Sequence, residues 1–148
     1  MRQYTIAGII AATTATGALG ACGGNAQYVV RGTEKSIGVD GVITIQPQSE
    51  DVNVVSVELV NLPPPERHEK SKKAFIVWLT PTDGPPIRAG RLAYDADERA
   101  GRLQVTTPND QVFVQVTAEE TSTAPKPSDF VVISKHVVLK RAQTSNEI

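Results

Sequence analysis

Residues 111–119, QVFVQVTAE, set the tightest limit on what this chain can fold into. Val112, Val114, Val116 and Ala118 fall on one side of an extended backbone; Phe113, Gln115, Thr117 and Glu119 fall on the other. Period two marks a strand with one buried face, because successive side chains of a strand point to opposite sides. The pattern recurs along the chain. Residues 39–46 put Val39, Gly41, Ile43 and Ile45 together, and residues 53–62 turn Val55, Val57 and Leu59 inward with Ser56 and Glu58 outward. Residues 87–94 read as one strand, with Leu92 and Tyr94 inward and Arg88 and Arg91 toward solvent. Leu103 and Val105 mark a short strand ending at Pro108. In residues 130–139, Val131, Ile133, Val137 and Leu139 share a face that Lys135 interrupts. That interruption predicts a bulge or a twist to solvent near Ser134 and Lys135.

Residues 74–79, AFIVWL, have no polar face at all. Such a run predicts a central strand covered on both sides, with Trp78 buried between two sheets rather than displayed for ligand stacking. Turn chemistry separates the runs: Pro63-Pro64-Pro65, the PTDGPP cluster at 81–86 and a Ser/Thr/Pro loop at 121–127. Proline offers no N–H to a ladder and so ends strands. About seven short strands at roughly ten-residue spacing predict an all-β fold, an antiparallel immunoglobulin-like β-sandwich.

The N-terminus is of another kind. Arg2 is the only charged side chain before Arg31, and Ile6, Ala7, Ile9, Ile10, Ala11 and Ala12 form an apolar centre. Small residues follow up to Cys22, the only cysteine. A charged start, an apolar middle and a small-residue end make a signal peptide. Thr5, Gly8, Thr13, Thr14, Thr16, Gly17 and Gly20 dilute the run too far for a membrane span, which needs about 20 predominantly apolar residues. Leu19-Gly20-Ala21-Cys22 resembles the lipobox of bacterial lipoproteins. The resemblance implies that the Cys22 sulfur receives a diacylglycerol and that the chain is cut before it, leaving residues 22–148. Two acyl chains then hold the protein on a membrane without spanning it. Gly23, standing where Asp favours inner-membrane retention, leans toward the outer membrane in a Gram-negative cell. The alternative is an ordinary signal peptide with an incidental cysteine. Residues 22–38 read as lipidated N-terminus and tether, in which Tyr28-Val29-Val30 can add a short edge strand. Residues 39–140 form the domain, and 141–148 a flexible tail.

Composition narrows the chemistry. Fifteen Lys and Arg stand against sixteen Asp and Glu, and removal of Arg2 makes the balance one unit more negative. There is no basic excess for nucleic acid. With Cys22 acylated no disulfide is available, so the core must hold by packing. Candidate chemistry is thin. His68 lies in the charged stretch ERHEKSKK at 66–73, which reads as a solvated connection, and His136 lies in the last strand. Glu66, His68 and Glu69 are too few and too clustered for zinc, which takes three or four well-spaced ligands. Asp95, Asp97 and Glu98 lack the turn-making glycine between ligands that a calcium loop requires. No G-x-S-x-G elbow occurs. The expectation is no catalytic residue, no cofactor and no metal.

Residues 73–138 resemble the extracytoplasmic C-terminal domain of anti-sigma-K-type anti-sigma factors. The likeness rests on Phe75-Ile76-Val77-Trp78-Leu79, Pro85-Pro86-Ile87, Gly90-Arg91-Leu92, the strand from Val112 to Glu119 and the turn Pro127-Ser128-Asp129, where Asp129 replaces the usual Gly. It implies a β-sandwich. Sigma-factor inhibition does not carry over, because in that family it belongs to a cytoplasmic helical part and a transmembrane helix, in whose place a lipoprotein signal stands here. The expected function is a non-enzymatic, lipid-anchored binding or interaction module at the bacterial cell envelope. Its partners would be the membrane, through Cys22, and an envelope protein or polymer. An envelope hydrolase with a loop-built site and a sensory partner of an anti-sigma-type complex are the alternatives.

Overall fold

A computed structural model describes residues 24–140. The signal segment, Leu19, Gly20, Ala21 and Cys22 of the lipobox, and residues 141–148 lie outside the described residues. Nine strands occur among those described: β1 Ala26–Arg31, β2 Asp40–Pro47, β3 Asn53–Val60, β4 Ala74–Pro81, β5 Ile87–Arg91, β6 Ala93–Asp95, β7 Ala100–Thr107, β8 Gln111–Glu119 and β9 Val131–Val138. They form two antiparallel sheets, ordered β1-β2-β3-β7-β6 and β5-β4-β8-β9. The chain is an all-β sandwich. No helix among the described residues is long and apolar enough to cross a membrane.

Alternation decides which faces meet. Ile43 and Ile45 of β2 and Val55, Val57 and Leu59 of β3 pack against Phe75, Val77 and Leu79 of β4 and Val112, Val114, Val116 and Ala118 of β8. All are buried. These are the residues that the period-two pattern turns inward.

Two strands beyond the expected seven have local causes. Within the stretch read as a tether, Tyr28-Val29-Val30 becomes the centre of β1, which pairs with β2 along its whole length. The run at 87–94 breaks in two. β5 pairs with β4 in one sheet, then Leu92 crosses between sheets, and β6 pairs with β7 in the other. Leu92 is buried and its N–H donates to the Phe75 carbonyl at 2.9 Å. Gly101 makes the crossing possible, because a Cβ there would collide with the Leu92 side chain.

Trp78 is fully buried, but it does not lie between the sheets. It belongs with Ala74, Ile76 and Ala124 to a small cluster separate from the main core. β4 sends Phe75, Val77 and Leu79 to the inter-sheet core, so by parity Ala74, Ile76 and Trp78 occupy the opposite face. Residues 120–128 fold back over that outer face. The bulge in β9 also falls earlier than Ser134. Val116 pairs with Ile133 and Thr117 with Val131, so Val132 is the extra residue. Lys135 still reaches solvent, its Nζ 5.9 Å from the centre of the Tyr28 ring.

Candidate functional site

The two long edges of a sandwich are its weak lines, because strand edges there carry unpaired backbone groups. One edge is clasped. The Tyr28 hydroxyl of β1 donates to the Val138 carbonyl and accepts from the Val138 N–H, both at 2.9 Å. Nearby, the Thr33 N–H donates to the Val132 carbonyl at 2.9 Å and its hydroxyl to the Val131 carbonyl.

The opposite edge stays open. β5 and β7 are drawn together near Gly90, where a Cβ would sit 3.3 Å from Leu103. Away from the Leu92 crossing they part and leave a cleft of about 600 Å³. Leu79, Ile87, Val105 and Val112 supply its apolar lining; Gln104, Thr106, Thr107 and Asn109 supply polar groups. Arg88 is the one charged residue along it, and its guanidinium donates to the Ala124 carbonyl at 2.9 Å. Ile87 is 56% exposed, a large apolar side chain left in water at the mouth. The backbone is equally unfinished. β6 pairs only with residues 100–102, so residues 103–107 of β7 have no strand on that side. β5 has β4 on one side and nothing on the other. The cleft thus combines apolar surface with two rows of available hydrogen-bonding groups.

His68, His136 and Tyr94 lie outside this cleft. His68 ends a single helical turn, Pro65–His68, and its ring lies 5.7 Å from Phe75 and 5.1 Å from Phe130. Its Nε2 is buried without a hydrogen-bond partner. Burial lowers the imidazole below its ordinary pKa, and a hydrogen bond to the Lys35 backbone opposes that only partly. His136 is exposed on β9 opposite Phe113. The folded chain does not bring the two histidines together with acids: among the described residues, no three His, Cys, Asp or Glu side chains converge to hold a metal ion. Asp95 instead caps its own turn, its Oδ1 accepting from the N–H groups of Asp97 and Glu98 at 2.9 and 3.0 Å. Glu66 pairs with Lys73 at 4.0 Å, both well exposed.

A second depression, about 450 Å³, lies between that helical turn and β6 and includes Glu66, Lys73, Arg91 and Tyr94. Its phenol is committed: the Tyr94 hydroxyl donates to the Leu62 carbonyl at 2.6 Å. Burial pushes the Tyr94 pKa up, with Glu66 and Asp95 adding to the rise and Arg99 opposing it. A protonated, bonded phenol does not serve as a base.

One acid is buried among the described residues, Glu119, although the alternation of β8 predicts it facing out. Glu119 closes a relay on the outer face of the second sheet. Trp78 Nε1–H donates to Thr117 Oγ1 at 2.8 Å, Thr117 Oγ1–H donates to Glu119 Oε1 at 2.6 Å, and the Ser128 N–H donates to the same Oε1 at 2.7 Å. The Ser128 hydroxyl adds a bond to the Ala118 carbonyl at 3.0 Å. Each member meets its partner, so the relay ties residues 120–128 over Trp78 rather than presenting a reactive group.

No family model, curated protein or solved structure matches this chain. The cleft left no local sequence signal, because β5 and β7 are not consecutive. The one hint is Ile87, an apolar residue at the mouth of the Pro85-Pro86 turn.

Proposed function

We propose that this protein is a lipid-anchored interaction module of the bacterial cell envelope, with no enzymatic activity of its own, held to a membrane through Cys22. The observation that carries the reading is the cleft between β5 and β7, where apolar surface and unpaired strand edges lie side by side. Such an edge accepts an extended segment through main-chain hydrogen bonds, while neighbouring pockets take alternate side chains. The anchor rests on the lipobox spacing. β1 begins at Ala26, four residues beyond Cys22, and at about 3.3 Å per residue the leash reaches only some 13 Å. A domain on so short a leash works next to the lipid surface. The resemblance of residues 73–138 to an extracytoplasmic sandwich agrees with that setting and assigns no ligand.

Two measurements test the reading. Cys22→Ser should abolish incorporation of labelled palmitate and leave precursor; normal labelling and normal membrane fractionation of the variant would refute the anchor. A photo-reactive residue at position 87 of the full chain, expressed in its own envelope, should give a discrete cross-linked product. The same probe at Ile37, which is 85% exposed and outside the cleft, should not. Equal products from both positions, or none from position 87, would refute the cleft as the contact site.

A further inference from the structure

We infer that the free edge of β7 pairs with the same edge of a second copy of this chain, and that the contact site is complete only in the pair. The inference rests on the reading of the cleft as an interaction site and names what closes it.

Proteins guard exposed strand edges with charge, proline, bulges or very short strands. The other edges here follow that rule. β5 carries Arg88 and Arg91, and its pairing with β4 slips so that Ala89 is left out of register. β9 carries Lys135, His136 and the Val132 bulge. β6 is three residues long and ends in Asp95. β1 is clasped to β9 through Tyr28. Residues 103–107 of β7, Leu-Gln-Val-Thr-Thr, have none of these devices. They contain no charge and no proline, and their ladder with β3 runs unbroken from Leu103 to Thr107. Val105, Thr106 and Thr107 are β-branched and suit a pleated surface.

The same five residues are complementary to themselves. Antiparallel pairing about a two-fold axis sets Val105 against Val105 of the second copy, Gln104 against Thr106, and Leu103 against Thr107. Neutral side chains meet neutral side chains at every position. Two paired β5 edges would instead gather four arginines, Arg88 and Arg91 of each copy, along one seam, and in the register that sets Arg88 against Arg91 like charges meet across the ladder, which is destabilising. The ends also fit. β6 already occupies the edge at residues 100–102, and β7 ends at Thr107, where Pro108 turns the chain away. An incoming β7 therefore leaves the edge just where β6 begins.

A two-fold axis perpendicular to the sheet keeps the inner faces of both copies on one side. Five strands from each copy then make one continuous sheet. The two clefts lie over its junction and merge into one trough, with β5 of each copy as its walls and Ile87 of each at its rim. What a single copy offers is half of that trough.

The test uses the full chain in a mild detergent, followed by sedimentation velocity. Gln104 and Thr106 are both exposed, so paired substitutions there leave the core alone, and unchanged Trp78 emission confirms folding. In the proposed register, Gln104→Lys with Thr106→Lys sets Lys against Lys twice. Gln104→Lys with Thr106→Glu sets Lys against Glu twice. Wild type and the Lys/Glu variant should form dimers, and the Lys/Lys variant should dissociate at least about tenfold more readily. Identical behaviour of the two variants, or a wild type monomeric at every concentration reached, would overturn the pairing. A monomeric wild type that still cross-links from position 87 to another envelope protein overturns self-pairing alone and leaves the interaction-module reading intact.

Discussion

Thr117→Val isolates the relay that holds residues 120–128 over Trp78. Valine matches threonine in shape, so the substitution opens no cavity. It removes the acceptor of the Trp78 N–H and the donor to Glu119, at 2.8 and 2.6 Å in the wild type. Trp78 and Thr117 are fully buried and Glu119 is 5% exposed, so water does not replace the lost partner. An unpaired buried donor costs about 1–3 kcal/mol, and a hydrogen bond to a carboxylate contributes about 1.5–3 kcal/mol. Glu119 keeps the Ser128 N–H, which places the expected loss near 3 kcal/mol, in the lower half of the summed range. A domain of this size has about 5–15 kcal/mol in all. At about 4 °C per kcal/mol the melting temperature should fall by roughly 12 °C. Thr117→Ser is the control: it keeps both hydrogen bonds, loses a methyl group and should cost about 1 kcal/mol. The only tryptophan of the chain is the probe, so urea melts read by its emission report the cluster that is perturbed. A Val variant whose urea midpoint equals or exceeds that of the Ser variant would refute the relay as a stabilising network.

Two other expectations follow from single contacts. In the folded state burial puts the His68 pKa below the ordinary 6.5, with a hydrogen bond to the Lys35 backbone opposing the shift. Above pH 6.5 neither state takes the proton and stability is level; as pH falls below it the unfolded chain protonates first, and stability declines until the folded-state pKa is reached. Denaturation midpoints measured across that range should show the decline, and His68→Phe should flatten it; an unchanged slope in the variant would place the effect elsewhere. At Gly32 a Cβ would run into the Ser36 carbonyl oxygen, which is backbone and does not move aside. Gly32→Ala should therefore cost about 1–3 kcal/mol and loosen the turn at Glu34–Ser36, and a melting temperature equal to wild type would refute that account.

The strands of the main core were legible because a half-buried strand writes its environment into alternate residues. Val112 to Ala118 and Ile43 to Leu59 show this directly. β4 announced burial on both faces but not what provides it, since the cover over Trp78 is a Ser/Thr/Pro loop with no apolar run of its own. Glu119 read as an outward polar residue because its parity is correct; what reverses its environment is Ser128, nine positions later. Leu92 preserves the alternation of residues 87–94 while changing sheets, so the crossing leaves no mark on the pattern. His68 sits among charges in sequence and among aromatic rings in space, because the helical turn Pro65–His68 swings it inward toward Phe75 and Phe130. The cleft was illegible for a related reason: its walls come from strands separated by β6, and its open backbone is a property of pairing, not of residue type.

The clasp between Tyr28 and Val138 joins groups 110 positions apart, and the order in which a chain is delivered gives that distance a meaning. From its N-terminus, an emerging chain first builds the meander of β1, β2 and β3 and then the β4–β5 hairpin, and the apolar sides of both face water. β3 waits for β7, β4 waits for β8, and the last bonds wait for β9. Contacts so remote in sequence close slowly. A polypeptide wired this way completes neither sheet until late, and one stopped short of residue 131 lacks β9 and the clasp from Tyr28 to Val138. For a domain proposed to sit on a lipid anchor at the cell envelope, late closure keeps the chain open during its delivery there.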